Sequence, residues 1–177
     1  MVAKSLSLIK NKAESVVFVF AFALALALAA QAKIPLFFTP VPLTLQTFVV
    51  YLAIRILKKK AIFSVALYLV AGIFGLPVFA GSALGISYLA GPTGGYILGF
   101  LVACLVCPFI FAKNKSFLAN AICFLTAAAI IYSFGLIWLV SFYQLSFSVA
   151  FLAGLYPFLL GEVLKITSAA YLTKFIH

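Results

Sequence analysis

The sequence predicts an all-α integral membrane protein, a bundle of six transmembrane helices with both termini in the cytoplasm. Three observations lead there. Hydrophobic residues fill 67% of the 177 positions and charged residues only 8%, against about 25% charged in a typical soluble domain. A water-soluble chain this apolar would fail to cover its own surface, whereas lipid accepts such surface without penalty. The apolar residues also fall into stretches separated by turn chemistry, in a chain whose length suits one compact unit. Finally, the basic residues alternate along the chain. Lys4, Lys10 and Lys12 precede the first stretch; Arg55, Lys58, Lys59 and Lys60 close the second; Lys113 and Lys115 follow the fourth; Lys174 follows the last. The intervening connections carry only Lys33. This is the positive-inside pattern of a multi-pass protein of the cytoplasmic membrane. It accounts for the net charge of +10 as cytoplasmic flanks beside a lipid membrane, with no nucleic-acid partner.

The first helix is expected over Ser15–Ala32. Lys10 and Lys12, a hydrophobic run and Ala30-Gln31-Ala32 together resemble a secretory signal. The run of about 17 apolar positions exceeds the usual 7–15 of a signal core and is enough to span, so a retained helix is expected, with cleavage as the alternative. Within it Ala21, Ala25 and Ala29 recur every four residues, a small-xxx-small stripe that lets another helix approach closely, either within the bundle or on a partner subunit. The second helix, Leu43–Leu57, ends at the basic run. The third, Ala61–Phe74, stops at Gly75-Leu76-Pro77. At 15 residues or so these two reach about 22 Å, short of a full span, and would be re-entrant or extend into their loops. The fourth helix is expected over Gly94–Ala112, the fifth over Phe117–Val140, and the sixth over Ser148–Thr173 with a kink at Pro157.

Two connections on the outer side are unusual. Thr39-Pro40-Val41-Pro42 is stiff and non-helical, because each proline drives its predecessor to extended geometry. The stretch from Gly75 to Gly95 is glycine-rich, apolar and uncharged. Irregular apolar backbone is tolerated at membrane depth only where it packs on protein or lines a cavity. These loops are therefore expected to fold inward as lids over a pocket, the alternative being plain helix connections.

The inventory of reactive groups is short. There is no aspartate, the acids are Glu14 and Glu162, and the single histidine is His177. That removes Ser-His-Asp and Cys-His arrangements, HExxH metal sites and paired-carboxylate hydrolysis. No GxxxxGK[ST] phosphate loop is present. Cys104, Cys107 and Cys123 lie in apolar segments and fall short of the four ligands zinc needs. Neither enzyme chemistry nor a metal or other cofactor is expected. Glu162 and Lys165, three residues apart in an apolar helix, stand out instead, since an ionisable group at the bilayer centre costs at least about 2.5–3.5 kcal/mol. In one reading they neutralise each other and hold the helix in the bundle. In the other they line a cavity: a carboxylate offers acceptors and an ammonium donors, matching a urea or amide ring, or a zwitterion.

As a set, four segments resemble the BioY family, the biotin-specific substrate-binding (S) components of energy-coupling factor (ECF) transporters. They are Thr39-Pro40-Val41-Pro42-Leu43-Thr44-Leu45-Gln46-Thr47-Phe48, Gly75-Leu76-Pro77-Val78-Phe79-Ala80-Gly81, Gly91-Pro92-Thr93-Gly94-Gly95-Tyr96-Ile97-Leu98-Gly99-Phe100 and Gly161-Glu162-Val163-Leu164-Lys165. The resemblance implies a six-helix S component that binds biotin, as substrate and not as cofactor, from the outer side beneath its two unusual loops. It also implies partnership with a transmembrane coupling subunit and two cytoplasmic ATPases, with Ala21, Ala25 and Ala29 as the surface offered to the coupling subunit. Some family members take up biotin without the full module, which leaves solitary operation open. The family's usual acid in the last motif is aspartate, where this chain has Glu162. By this resemblance Glu162 grips the ureido N–H groups, and Lys165 donates to the ureido carbonyl or holds Glu162. Phe79, Tyr88 and Tyr96 pack on the rings, and Thr44, Gln46, Ser82 and Thr93 supply hydrogen bonds.

Overall fold

A computed structural model describes residues 2–110 and 116–175, residues 2–12 by backbone alone. Lys113, Lys115 and His177 lie outside the described residues, as do the side chains of Lys4, Lys10 and Lys12. Helix α1 runs Val2–Gln31. It starts well before Ser15 because the polar stretch ahead of the apolar run contains neither glycine nor proline. Ala23, Leu26 and Ala30 face inward, while Phe18, Phe20, Leu24 and Leu28 face outward. That outward apolar surface is what a lipid-facing helix presents.

The second helix begins later than expected. Leu43 and Thr44 form β2, which pairs antiparallel with β1, Lys33–Ile34, placing Lys33 opposite Thr44 and Ile34 opposite Leu43. Pairing with β1 holds this segment extended, so helix α2 covers Gln46–Leu57 only. The Thr44 hydroxyl accepts from the Gln46 amide at its start (3.4 Å). A 3-10 turn, Lys58–Lys60, then leads directly into α3, Ala61–Ile73. A short helix α4, Ile86–Leu89, interrupts the long glycine-rich loop. Helix α5, Gly94–Ile110, lies against α6, Phe117–Tyr143. Their backbones touch: a Cβ on Gly99 would sit 2.7 Å from Ile131 Cα, and one on Gly95 2.6 Å from the Phe134 oxygen. Glycines four apart permit that approach, as in small-xxx-small helix pairs.

The expected sixth helix is two helices. Helix α7, Phe147–Gly154, is followed by a 3-10 turn, Tyr156–Phe158, and by α8, Leu159–Thr173. Pro157 has no N–H, so the carbonyl of Ala153, four residues earlier, loses its helical donor. The Phe158 amide turns instead to Leu155 (3.0 Å), which frees the Gly154 carbonyl too. Two distant hydroxyls satisfy these groups: Thr39 donates to Ala153 (2.7 Å) and Tyr96 to Gly154 (2.7 Å). The kink is thus a joint completed by the first loop and by α5.

The two ends of the bundle differ. At one end, Lys60 Nζ meets the Ser15 hydroxyl at 2.5 Å and Lys59 Nζ lies 4.3 Å from the Phe109 ring centre. At the other end, about 24 Å along α1 by its rise per residue, Gln31 ties the long loop to the end of α1. Its amide donates to the Phe79 carbonyl (2.9 Å) and its oxygen accepts from the Ser82 amide (2.9 Å). Among the described residues Ala13–Gln31, Phe117–Tyr143 and Phe147–Thr173 are long and apolar enough to cross a bilayer. Helices α2 and α3 have 12 and 13 residues and measure about 20 Å.

Candidate functional site

The joint before α8 sets the site. It places Glu162 in the first turn of α8, where the amide dipoles favour a negative charge. Lys165, one turn on, shares its face. Both are buried, at 4% and 9% exposure, and they turn toward α2 and α6. One carboxylate oxygen accepts from three donors: Tyr132 at 2.9 Å, Thr47 at 3.2 Å and Lys165 at 3.3 Å. The other oxygen accepts from the Tyr51 hydroxyl. Lys165 also donates to the Thr47 hydroxyl at 2.9 Å, so carboxylate, hydroxyl and ammonium close a ring. Three of its four donors crowd one oxygen of Glu162, so the protein itself occupies most of the carboxylate.

Above this floor lies a cavity in which about 50 Å³ admits the centre of a water molecule. Thr44, Gln46 and Thr47 line it from the ribbon and α2, Tyr88, Thr93 and Tyr96 from the long loop and the start of α5, and Lys165 from α8. Ile97, Phe100, Ile131 and Phe158 give it apolar walls. Gln46 is oriented by Tyr68, to which its amide donates at 2.9 Å, and by the Thr44 hydroxyl on its oxygen at 3.4 Å. Lys165 is the one ionised side chain among the described lining residues.

Of the residues singled out in the sequence, Thr44, Gln46, Tyr88, Thr93, Tyr96 and Lys165 come together around this cavity. Glu162 sits one layer behind the wall, joined to it through Thr47, Tyr132 and Lys165. Phe79 is fully buried behind Tyr88, stacked on its ring at 4.8 Å and edge-on to Tyr68 at 5.4 Å. Ser82 lies away from the cavity, held on Gln31. Along the alanine stripe Ala21 is exposed, Ala25 half-buried and Ala29 buried, as a four-residue repeat must drift around a helix of 3.6 residues per turn. Cys104, Cys107 and Cys123 are buried free thiols on α5 and α6. Sequence reasoning missed Thr47, Tyr51 and Tyr132. The signal was there: a hydroxyl inside an apolar helix needs a partner, and so does a buried carboxylate.

The BioY family model matches residues 3–177. The chain belongs to the BioY family. Among curated relatives, the biotin transporter BioY of Thermotoga maritima is 37% identical over 132 residues, spanning 74% of this chain and 78% of the relative. The biotin transporter BioY2 of Lactococcus lactis is 37% identical over 131 residues, 71% of this chain and 70% of the relative. Among solved structures, the S-component for biotin from an ECF-type ABC transporter superposes with a TM-score of 0.86 at 22% identity, covering 93% of this chain and 91% of that one. This BioY chain therefore has the fold of that S-component and is a membrane protein, and the apolar outer faces of α1, α6 and α8 suit contact with lipid or a membrane partner.

Proposed function

We infer that this chain binds biotin in the cavity above Glu162 and Lys165, and takes it up across the cytoplasmic membrane as the substrate-specific subunit of an ECF-type transporter. The observation that supports the site is the cavity's makeup: apolar and aromatic walls, a few oriented polar groups, and one ammonium whose charge Glu162 balances. A ureido ring presents a carbonyl acceptor beside two N–H donors. Lys165 and Thr47 offer donors for the carbonyl, and the oxygens of Gln46 and Thr44 offer acceptors for the N–H groups. Glu162 acts from behind, fixing Thr47, Tyr132 and Lys165 for that task. A bicyclic ligand needs more room than the water-sized free space, so its entry requires the two loops to shift. The curated relatives are named as transporters, not as enzymes.

The basic end, opposite the loops, supports a cytoplasmic placement of both termini in a multi-pass arrangement. A transmembrane coupling subunit and two ATPases would supply the energy, with Ala21 and Ala25 on the outward side of α1 as the contact surface. Equilibrium binding of labelled biotin to the purified chain in detergent tests the core of this reading. Saturable binding is expected, and Lys165→Ala should weaken it at least tenfold, about 1.4 kcal/mol. Undiminished binding by a folded Lys165→Ala variant would overturn the site. Ala25→Leu is expected to block assembly with the coupling subunit while leaving biotin binding intact.

A further inference from the structure

One basic residue is left over from the positive-inside pattern. Arg55 and Lys58 to Lys60 belong to the end of the bundle away from the loops, and Lys165 is paired in the floor. Among the described basic side chains, Lys33 alone sits at the loop end. It lies on β1 opposite Thr44, and its ammonium rests over Gly81 of the long loop, where a Cβ would come within 2.1 Å of Nζ. Its ammonium therefore lies against the long loop while its backbone belongs to the ribbon.

Lys33 lines a second hollow, outside the first, with about 420 Å³ open to the centre of a water molecule. Pro42, Ala80, Tyr88 and Thr93 line both spaces, so the hollow is the vestibule of the deep cavity. Among the described residues, no acidic side chain balances Lys33. The only acids are Glu14 and Glu162. Glu162 is committed to the floor, and Glu14 is 19 positions back along α1, about 28 Å away. The floor is neutral as a pair, so a carboxylate pushed down to it would lose hydration without gaining a free cation. At Lys33 it would keep water and meet an uncompensated positive charge.

We propose that Lys33 is the specificity residue for an anionic tail. The ligand lies with its neutral polar ring on the Lys165–Thr47 floor and its carboxylate in the vestibule at Lys33. This rests on the biotin reading above, biotin being a ureido ring that carries a carboxylate on a flexible chain. The unbalanced charge also draws the anion in, making association faster at low salt than at high salt.

The test compares biotin with its neutral carboxamide, measuring equilibrium binding to the full purified chain and to Lys33→Gln and Lys33→Arg. The wild-type chain should prefer the acid by roughly five- to tenfold, the range of a partly exposed charge contact. Lys33→Gln should erase the preference by weakening the acid, and Lys33→Arg should retain it. A preference that survives in Lys33→Gln overturns the proposal. So does an equal loss for acid and amide, which would make Lys33 a structural prop of the ribbon. If the wild-type chain binds neither compound, the biotin reading itself falls, an outcome distinct from binding that ignores residue 33.

Discussion

The floor and the roof of the cavity are built on opposite principles. The floor is made of helix side chains, Thr47 and Tyr51 from α2, Tyr132 from α6, Glu162 and Lys165 from α8, and each bonds to another within the set. The roof is made of loop backbone, two-residue strands and a four-residue helix, pinned at a few points by Gln31, Thr39 and Trp138. A low-dielectric floor with every group paired is stiff, because any shift leaves a polar atom unsatisfied. The roof's exposed segments open at little cost. The difference teaches where recognition and admission reside: the floor selects the ring, and the roof has to move for it to enter.

Removing the hub of the floor should have the largest effect. Glu162→Ala leaves an ammonium and three hydroxyls without their acceptor, and breaking one buried pair of this kind costs about 3–5 kcal/mol. Thermal unfolding in detergent should shift strongly downward and biotin binding should vanish. An unchanged midpoint would mean that the floor is no stiffer than the roof. Next comes Tyr96→Phe, which leaves the Gly154 carbonyl unpaired at the joint between floor and roof. The cost of an unsatisfied buried group is about 1–3 kcal/mol, and binding should weaken alongside stability. Stability lost with full affinity retained would separate the joint from the site. Thr39→Val reaches the same joint from the roof. About 1 kcal/mol is expected, appearing mainly as faster amide exchange in the Leu36–Val41 loop and only slightly in the midpoint. Exchange confined to α8 would reverse that assignment. Ser82→Ala should be the mildest: its side chain holds Gln31 at 3.4 Å, outside the cavity, so biotin affinity should stay within about twofold. A larger loss would bring Ser82 back into the binding surface.

The helices and the acid–base pair were legible in the sequence for the same reason: apolar runs and their rare exceptions are one-dimensional signals. Glu162 and Lys165 announced themselves by being costly where they stand. Thr44, Gln46, Thr93 and Tyr96 were readable through their motifs, and Tyr88 as an aromatic in the apolar loop. Glu162's own placement was not, because whether a carboxylate faces a cavity or turns to tyrosines depends on which helices flank it. Tyr51 and Tyr132, 81 positions apart by their numbers, meet only across the bundle. The ribbon of Lys33–Ile34 with Leu43–Thr44 escaped notice because two-residue strands carry no periodicity, and apolar Leu43 reads as the start of the next helix. The break of the last helix was expected at Pro157 as a bend. Its conversion into two helices depended on Thr39 and Tyr96 being in reach, which no local pattern encodes.

The joint at Ala153 and Gly154 also bears on how the molecule is made. Its hydroxyl donors, Thr39 and Tyr96, precede their acceptors by 114 and 58 positions. During synthesis these hydroxyls emerge long before the carbonyls they will serve, and domains take shape as their parts become available. The first loop and the start of α5 must therefore wait for the end of α7 before they lock. A threonine made among the first forty residues is fastened only once α7 has been made.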